Sequence, residues 1–280
     1  MPDDRNRTGR FEPIHDAHAI EQVAFVIQFS PALDDGGLAE VRKLVEPFTS
    51  ELPGRKDIQA LSVSIRVPGL SGLAAPSPIA GSAYSRTRPD GTVESELRVD
   101  QLSVTFRTVL YTRWDAVWQN ARRYFDAVIA KYVSADTTVA AISLTFFDKF
   151  LCVGTVAECR PSLLLRPNSR YVCPHVFSAP DLWHSHTGAF LRVDEATKRL
   201  LNVNVDYLEE NQPDGVRRVI AIATALTDLM NQPGYVSSRV MANDVCQFLD
   251  THMKQLHHFG KEVFGNVVND DMSKRIALTG

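Results

Sequence analysis

Leu200-Leu201-Asn202-Val203-Asn204-Val205-Asp206-Tyr207-Leu208 alternates apolar and polar side chains, and after Asn211-Gln212-Pro213-Asp214-Gly215 the run from Val216 to Leu226 is again rich in apolar residues. A period of two sends successive side chains to opposite faces, which is the mark of a strand. A Pro-Asp-Gly turn between two such runs folds the second back on the first. Antiparallel pairing is therefore the organising principle. The pattern spreads outward from here. Gln22 to Phe29 and Val139 to Val153 read as buried strands, and Gly188 to Val193 as a further one. Leu61, Val63, Ile65 and Val67 alternate with Ser62, Ser64 and Arg66 until Pro68, and the Gly-, Pro-, Ala- and Ser-rich stretch from Pro68 to Ser82 reads as a loop. Two runs of alternating polarity meet at Pro89-Asp90-Gly91, and Leu102, Val104, Phe106 and Leu110 supply the next strand of a meander.

Three segments change period. Leu38, Val41, Leu44, Val45 and Phe48 follow helical spacing after Asp34-Asp35-Gly36-Gly37. Trp114, Val117, Trp118, Ala121, Phe125, Val128, Ile129 and Tyr132 repeat at three- and four-residue steps, with Thr112 expected as the N-cap and Asp115 favoured by the helix dipole. Val245, Phe248, Leu249, His252, Leu256, Phe259 and Val263 line one face of a C-terminal helix with Asn243 as its cap. The fold class expected is α+β: antiparallel sheets with long amphipathic helices, in a pseudo-duplicated strand-helix-meander-helix order. The expected division is a flexible N-terminal segment at 1–18, a first α+β half at 19–136, and a second at 137–280 that ends in the C-terminal helix.

At 280 residues, 44% hydrophobic and 22% charged, the chain is of ordinary globular composition and large enough for a sizeable core. No apolar run approaches the ~20 residues of a bilayer-spanning helix, so no membrane partner is expected. The N-terminus lacks the pattern of a secretory signal, and a cytoplasmic location is expected. The four cysteines, Cys152, Cys159, Cys173 and Cys246, are then expected to stay as thiols. A net charge of −3 gives no footprint for nucleic acid. The sequence also lacks a P-loop, a dinucleotide fingerprint, a Gly-x-Ser-x-Gly elbow, a His-Glu-x-x-His helix and Cys-x-x-Cys pairs.

Two groups of residues are candidates for chemistry. Asn202, Asn204 and Asp206 share one face of their strand and, with Asp148, form a polar strip able to bind a ligand; the competing reading is the solvated face of a sheet. Cys173, His175, His184 and His186, near Cys159, are the residue types zinc would take, although they lack the tight pairing of recognised zinc sites. No cofactor is predicted, and zinc is the metal that the Cys/His group would take. Histidine on the packed face of the last helix reads as a hydrogen-bonded core residue rather than a catalytic one.

Ala19-Ile20-Glu21-Gln22-Val23-Ala24-Phe25-Val26-Ile27-Gln28-Phe29 resembles the first strand of the TIGR04255 family, sporadically distributed prokaryotic proteins whose name carries no activity; Glu21 and Phe25 carry the likeness. Ile142 to Phe150 stands where that family has a Gly-Leu-Arg-Tyr-Ile-Asn-Arg-like strand, and Leu201 to Tyr207 resembles its later Asp-containing strand. Thr145 replaces the Arg, and Asp148-Lys149 replace Asn-Arg, so any partner those residues read differs here. The resemblance implies a bacterial setting and an accessory or partner-binding role, and no reaction. The expected function is a non-enzymatic binding or interaction protein acting through a protein partner or a small ligand held between its halves, self-associating as a homodimer. The alternative is a metal-dependent hydrolase or nuclease-like enzyme using Asp148, Asp206 and the Cys/His segment 159–186.

Overall fold

The computed structural model describes residues 9–59, 79–133, 138–155, 157–212, 215–230 and 244–278. In chain order the elements are β1 (Arg10–Pro13), β2 (Ile20–Ser30), α1 (Asp35–Val45), β3 (Gly54–Gln59), β4 (Ile79–Thr87), β5 (Val93–Asp100), β6 (Ser103–Thr108), α2 (Trp114–Tyr132), β7 (Thr138–Val153), β8 (Trp183–Arg192), β9 (Thr197–Gln212), β10 (Gly215–Met230), α3 (Val245–Val267) and α4 (Asp270–Arg275). All ten strands belong to one antiparallel sheet in the order β3-β4-β5-β6-β2-β7-β10-β9-β8, with β1 pairing the end of β7.

This corrects the expected α+β class of antiparallel sheets with long amphipathic helices. A single large sheet dominates, with 46% of the described residues in strand or bridge and 31% helical. The physical reason is the pairing of β2 with β7, from Ile20 opposite Asp148 to Ser30 opposite Thr138, which splices the two meanders into one sheet. Periodicity identifies strands but carries no information on which strand each one meets. From the β2–β7 pair the sheet extends through β6, β5, β4 and β3 on one side and through β10, β9 and β8 on the other. Residues 134–137, which contain the expected boundary between halves, lie outside the described residues.

Other local expectations also shift. The expected strand at 61–67 lies outside the described residues, as does Asn243, while residues 79–82 of the expected loop begin β4. Thr112 does not cap α2; Arg113 holds the N-cap position with no side-chain bond, and its carbonyl accepts from Val117 N–H at 3.1 Å. Within the N-terminal segment, Arg10–Pro13 forms β1. Cys152 and Cys159 form a disulfide, contrary to the expectation of four thiols, because the turn after β7 brings their Cα atoms to 5.9 Å, within a disulfide's span. Cys173 and Cys246 are free. No helix among the described residues is long and apolar enough to cross a membrane.

Helices cover one face of the sheet. Val23, Phe25 and Ile27 of β2 stand beside Phe146, Leu144 and Ile142 of β7, and this apolar row meets Trp118, Phe125 and Ile129 of α2 and Leu249, Met253 and Leu256 of α3. Each such side chain contributes about 1.5–3 kcal/mol by leaving water. Trp118 Nε1 donates to Asp250 Oδ1 at 2.8 Å, joining α2 to α3. Beneath α3, Arg199 Nε and Nη2 donate to the two carboxylate oxygens of Asp228 at 2.7 and 2.9 Å, and His252 Nδ1 lies 3.2 Å from Oδ2. Burial works against the Asp228 charge, yet bonds from His252 and Arg199 hold its carboxyl below the usual range. The histidine on the packed face of α3 is thus a hydrogen-bonded core residue. On the opposite face, Ala24, Thr145, Ala225, Asn202 and Gly188 succeed one another across five strands.

Candidate functional site

The register separates the residues expected to act together. Asp148 stands opposite Ile222, which stands opposite Val205, so Asp148 points to the helix-covered face among Phe146 and Phe150. Asn202, Asn204 and Asp206 occupy the alternate positions of β9 and point to the other face. They form the expected strip without Asp148. His184 and His186 join them there, opposite Asp206 and Asn204, and His186 Nε2 lies 2.9 Å from Asp206 Oδ1. Between the two histidines, Ser185 points to the covered side, where its Oγ accepts from Cys173 N–H at 2.9 Å. Cys173 and the turn carrying His175 therefore lie across the sheet from His184 and His186, and the four expected ligands do not converge. Among the described residues no group of three or more His, Cys, Asp or Glu side chains is placed to hold a metal ion. Asp148 and Asp206, which the metal-enzyme alternative uses together, face opposite sides of the sheet.

Asp148 instead forms part of a cavity of about 210 Å³ between the sheet and the helices. Phe146, Asp148 and Thr224 come from β7 and β10, and His257, Gly260, Lys261 and Phe264 from α3. The segments Ala17–Ile20, Tyr111–Trp114 and Ile276–Leu278 complete the lining. Thr224 stands opposite Phe146 and is thus the diagonal neighbour of Asp148, about 7 Å away in a regular sheet. Both break the apolar phase of their strands, where Ile142, Leu144, Phe146 and Phe150 and then Ile220, Ile222 and Leu226 are otherwise continuous.

Several polar atoms of this lining lack partners among the described residues. Asp148 is 5% exposed, its carboxyl meets no hydrogen-bond donor among the described residues, and burial pushes its pKa up to about 8. Thr224 Oγ1 is buried without a partner. His18 Nε2 donates to the Tyr111 carbonyl at 3.0 Å, which fixes the proton on that nitrogen and leaves the buried Nδ1 as an unmatched acceptor. Leaving such groups unmatched costs about 1–3 kcal/mol each. His18 is shifted downward, chiefly by burial, and burial takes His257 down to about 4. Burial followed by the Asp148 charge pushes Tyr111 up to about 12. At neutral pH the floor of the cavity is accordingly uncharged. The His257 ring stacks on Trp114 at 4.0 Å and 2°, making a flat aromatic bridge from α2 to α3.

Sequence reading singled out Asp148 but assigned it to the wrong face, and missed His18, Tyr111, Thr224 and His257 as a group. The available signal was phase: Asp148 and Thr224 are polar residues at positions where their strands are otherwise apolar. Of the two residues carrying the family likeness, Phe25 is in the core and Glu21 pairs on the uncovered face with Lys149 Nζ, which also meets Glu210 of β9 at 2.8 Å. Comparison of the sequence with protein-family models and with curated proteins finds no match.

Proposed function

We propose that this chain is a non-enzymatic binding protein whose ligand is a small molecule held in the cavity between the sheet and helices α2 and α3. One observation carries the reading: the buried Asp148 carboxyl lies without a partner in a cavity whose lining also holds the unmatched Thr224 hydroxyl and His18 Nδ1. A folded chain carries such a cost where a bound molecule recovers it, and pockets with a few convergent polar groups in an apolar lining are the usual form of small-ligand sites. The lining draws on Ala17–Ile20 and Tyr111–Trp114, on β7 and β10, and on α3 and Ile276–Leu278, so occupancy would tie these distant segments of the chain together.

Ligand-observed NMR with one-ring fragments tests this. Fragments that bind the wild type should lose affinity in Asp148→Asn and Thr224→Val, which change hydrogen bonding with little change of shape. Equal affinity in the variants would place binding elsewhere and sink the proposal. A protein partner, including a second copy of the chain, is the second reading. It is favoured by edge strand β8 and the turn after it, where Phe190 is 58%, Leu191 36% and Val193 40% exposed. Sedimentation velocity of the wild type against Phe190→Lys tests it: a dimer in the first and a monomer in the second is the expected result.

A further inference from the structure

The charges of the lining are unevenly distributed. Arg113 and Lys261 are its two permanent cations, and Asp148 is its single carboxyl group. Elsewhere the described arginines and lysines commonly meet carboxylates, as in Arg42 with Asp57, Arg166 with Asp270 and Lys254 with Asp250. Among the described residues Arg113 and Lys261 have no ion-pair or side-chain hydrogen-bond partner. Arg113 is exposed and Lys261 partly so, whereas Asp148 and Thr224 are buried, which sets the cations toward solvent and the neutral hydrogen-bonding groups at the floor. Asp115, in the first turn of α2, acts on Tyr111 and His257 from outside the lining. Phe146, Trp114, His257 and Phe264 give the same lining its aromatic surface. A cavity of ~150 Å³ holds benzene, so one of this size holds about eight non-hydrogen atoms, a single ring with a short arm.

Resting on the reading of this cavity as a ligand site, we propose that its occupant is a small monocarboxylic acid with a single-ring or equivalent apolar body, its carboxylate at the Arg113 and Lys261 end. A carboxylate answers an unpaired cation with a charge-assisted bond, while an apolar body of that size meets the aromatic lining. An ammonium at the same end would meet two like charges. A dicarboxylate would bring its second charge against the uncharged, water-poor floor, where an unpaired anion is strongly disfavoured.

The test is a matched set of three probes of one shape and different charge: 3-phenylpropanoate, 3-phenylpropanamide and 3-phenylpropylamine. Their dissociation constants are measured by calorimetry at neutral pH on the wild type, Arg113→Gln and Lys261→Gln. The acid should bind about tenfold more tightly than the amide, and the amine most weakly. Each substitution should weaken the acid roughly three- to fivefold, as expected for a partly exposed charge pair, and leave the amide unchanged. If the amide or the amine binds as tightly as the acid, and Asp148→Asn still weakens it, the cavity is a ligand site and the anion preference is wrong. If none of the three saturates the wild type, both the acid class and the cavity reading fail. Equal loss of acid and amide in the two Gln variants would overturn the role of the cations, since a change of fold moves both probes together.

Discussion

Asp148→Asn isolates the cost of the buried acid. In the unfolded chain Asp148 has an ordinary carboxyl pKa of 3.8, and in the fold burial pushes it up to about 8. Between those values the folded state holds a proton that the unfolded state has released. Stability therefore falls as pH rises, by about 1.4 kcal/mol per pH unit, and the contribution levels off once the folded carboxyl also ionises. From pH 5 to pH 8 the loss is about 4 kcal/mol, a large share of the ~5–15 kcal/mol that holds a typical domain together. Asparagine has nearly the same shape and does not titrate in this range. The other titratable groups of the cavity, His18, Tyr111, Arg113, His257 and Lys261, with Asp115 outside its lining, are common to both proteins, so their contributions cancel in the difference. The assay is urea unfolding of wild type and variant at half-unit pH intervals, followed by the change in free energy and not by the midpoint alone. The variant should gain on the wild type by about 4 kcal/mol across the window. Parallel profiles, within about 1 kcal/mol of each other at every pH, would show that the carboxyl is hydrated or partnered and would remove the reason for reading the cavity as a binding site.

Three further outcomes follow from the same structure. Arg199→Ala leaves the fully buried Asp228 with His252 alone and should cost about 3–5 kcal/mol by urea unfolding; a loss under ~1 kcal/mol would contradict the buried pairing. Tyr132→Phe removes a hydroxyl that donates to the Asp100 carbonyl at 2.6 Å, for an expected loss of about 1 kcal/mol in the same assay. Air-oxidised protein unfolded without reductant should take alkylating label at Cys173 and Cys246 only, with Cys152 and Cys159 labelling after reduction; mass spectrometry showing all four labelled beforehand would refute the disulfide.

The antiparallel strands and the helix beginning at Trp114 are legible in the sequence because each is fixed by local periodicity over many residues. The union of two meanders into one sheet is not, because it depends on β2 meeting β7 across more than a hundred residues, with Val23 opposite Phe146 and Ile27 opposite Ile142. The disulfide is hidden for a related reason. Cysteine count and an expected reducing compartment argue against it, while the fold itself supplies the proximity through the turn after β7. The candidate metal set is misleading in the opposite way: His184 and His186 do share a face, but sequence proximity to Cys173 and His175 says nothing about the sheet lying between them.

What the sequence offers toward the site is a question of phase within each strand, and the structure shows how that question divides. Several polar residues sit in the apolar phase of this sheet. Ser95 and Thr108 do so as register partners bonded at 2.8 Å, and Arg199 and Asp228 as register partners joined by two bonds. In both pairs the second polar residue directly faces the first, so the cost of burying each is met within the sheet and the pair has a structural explanation. Asp148 and Thr224 are opposite Ile222 and Phe146 instead, each facing an apolar side chain. Their cost is not met by the strand beside them, and a cavity lies where a partner would be. Breaking phase alone therefore marks polar burial, whereas breaking phase with neither an answering residue across the strand nor a partner from a neighbouring segment, such as the Cys173 N–H that meets Ser185, marks the place where the fold leaves room for something else. On that criterion Asp148 marks the cavity, while Asp206, partly exposed and bonded to His186, is answered on its own face of the sheet.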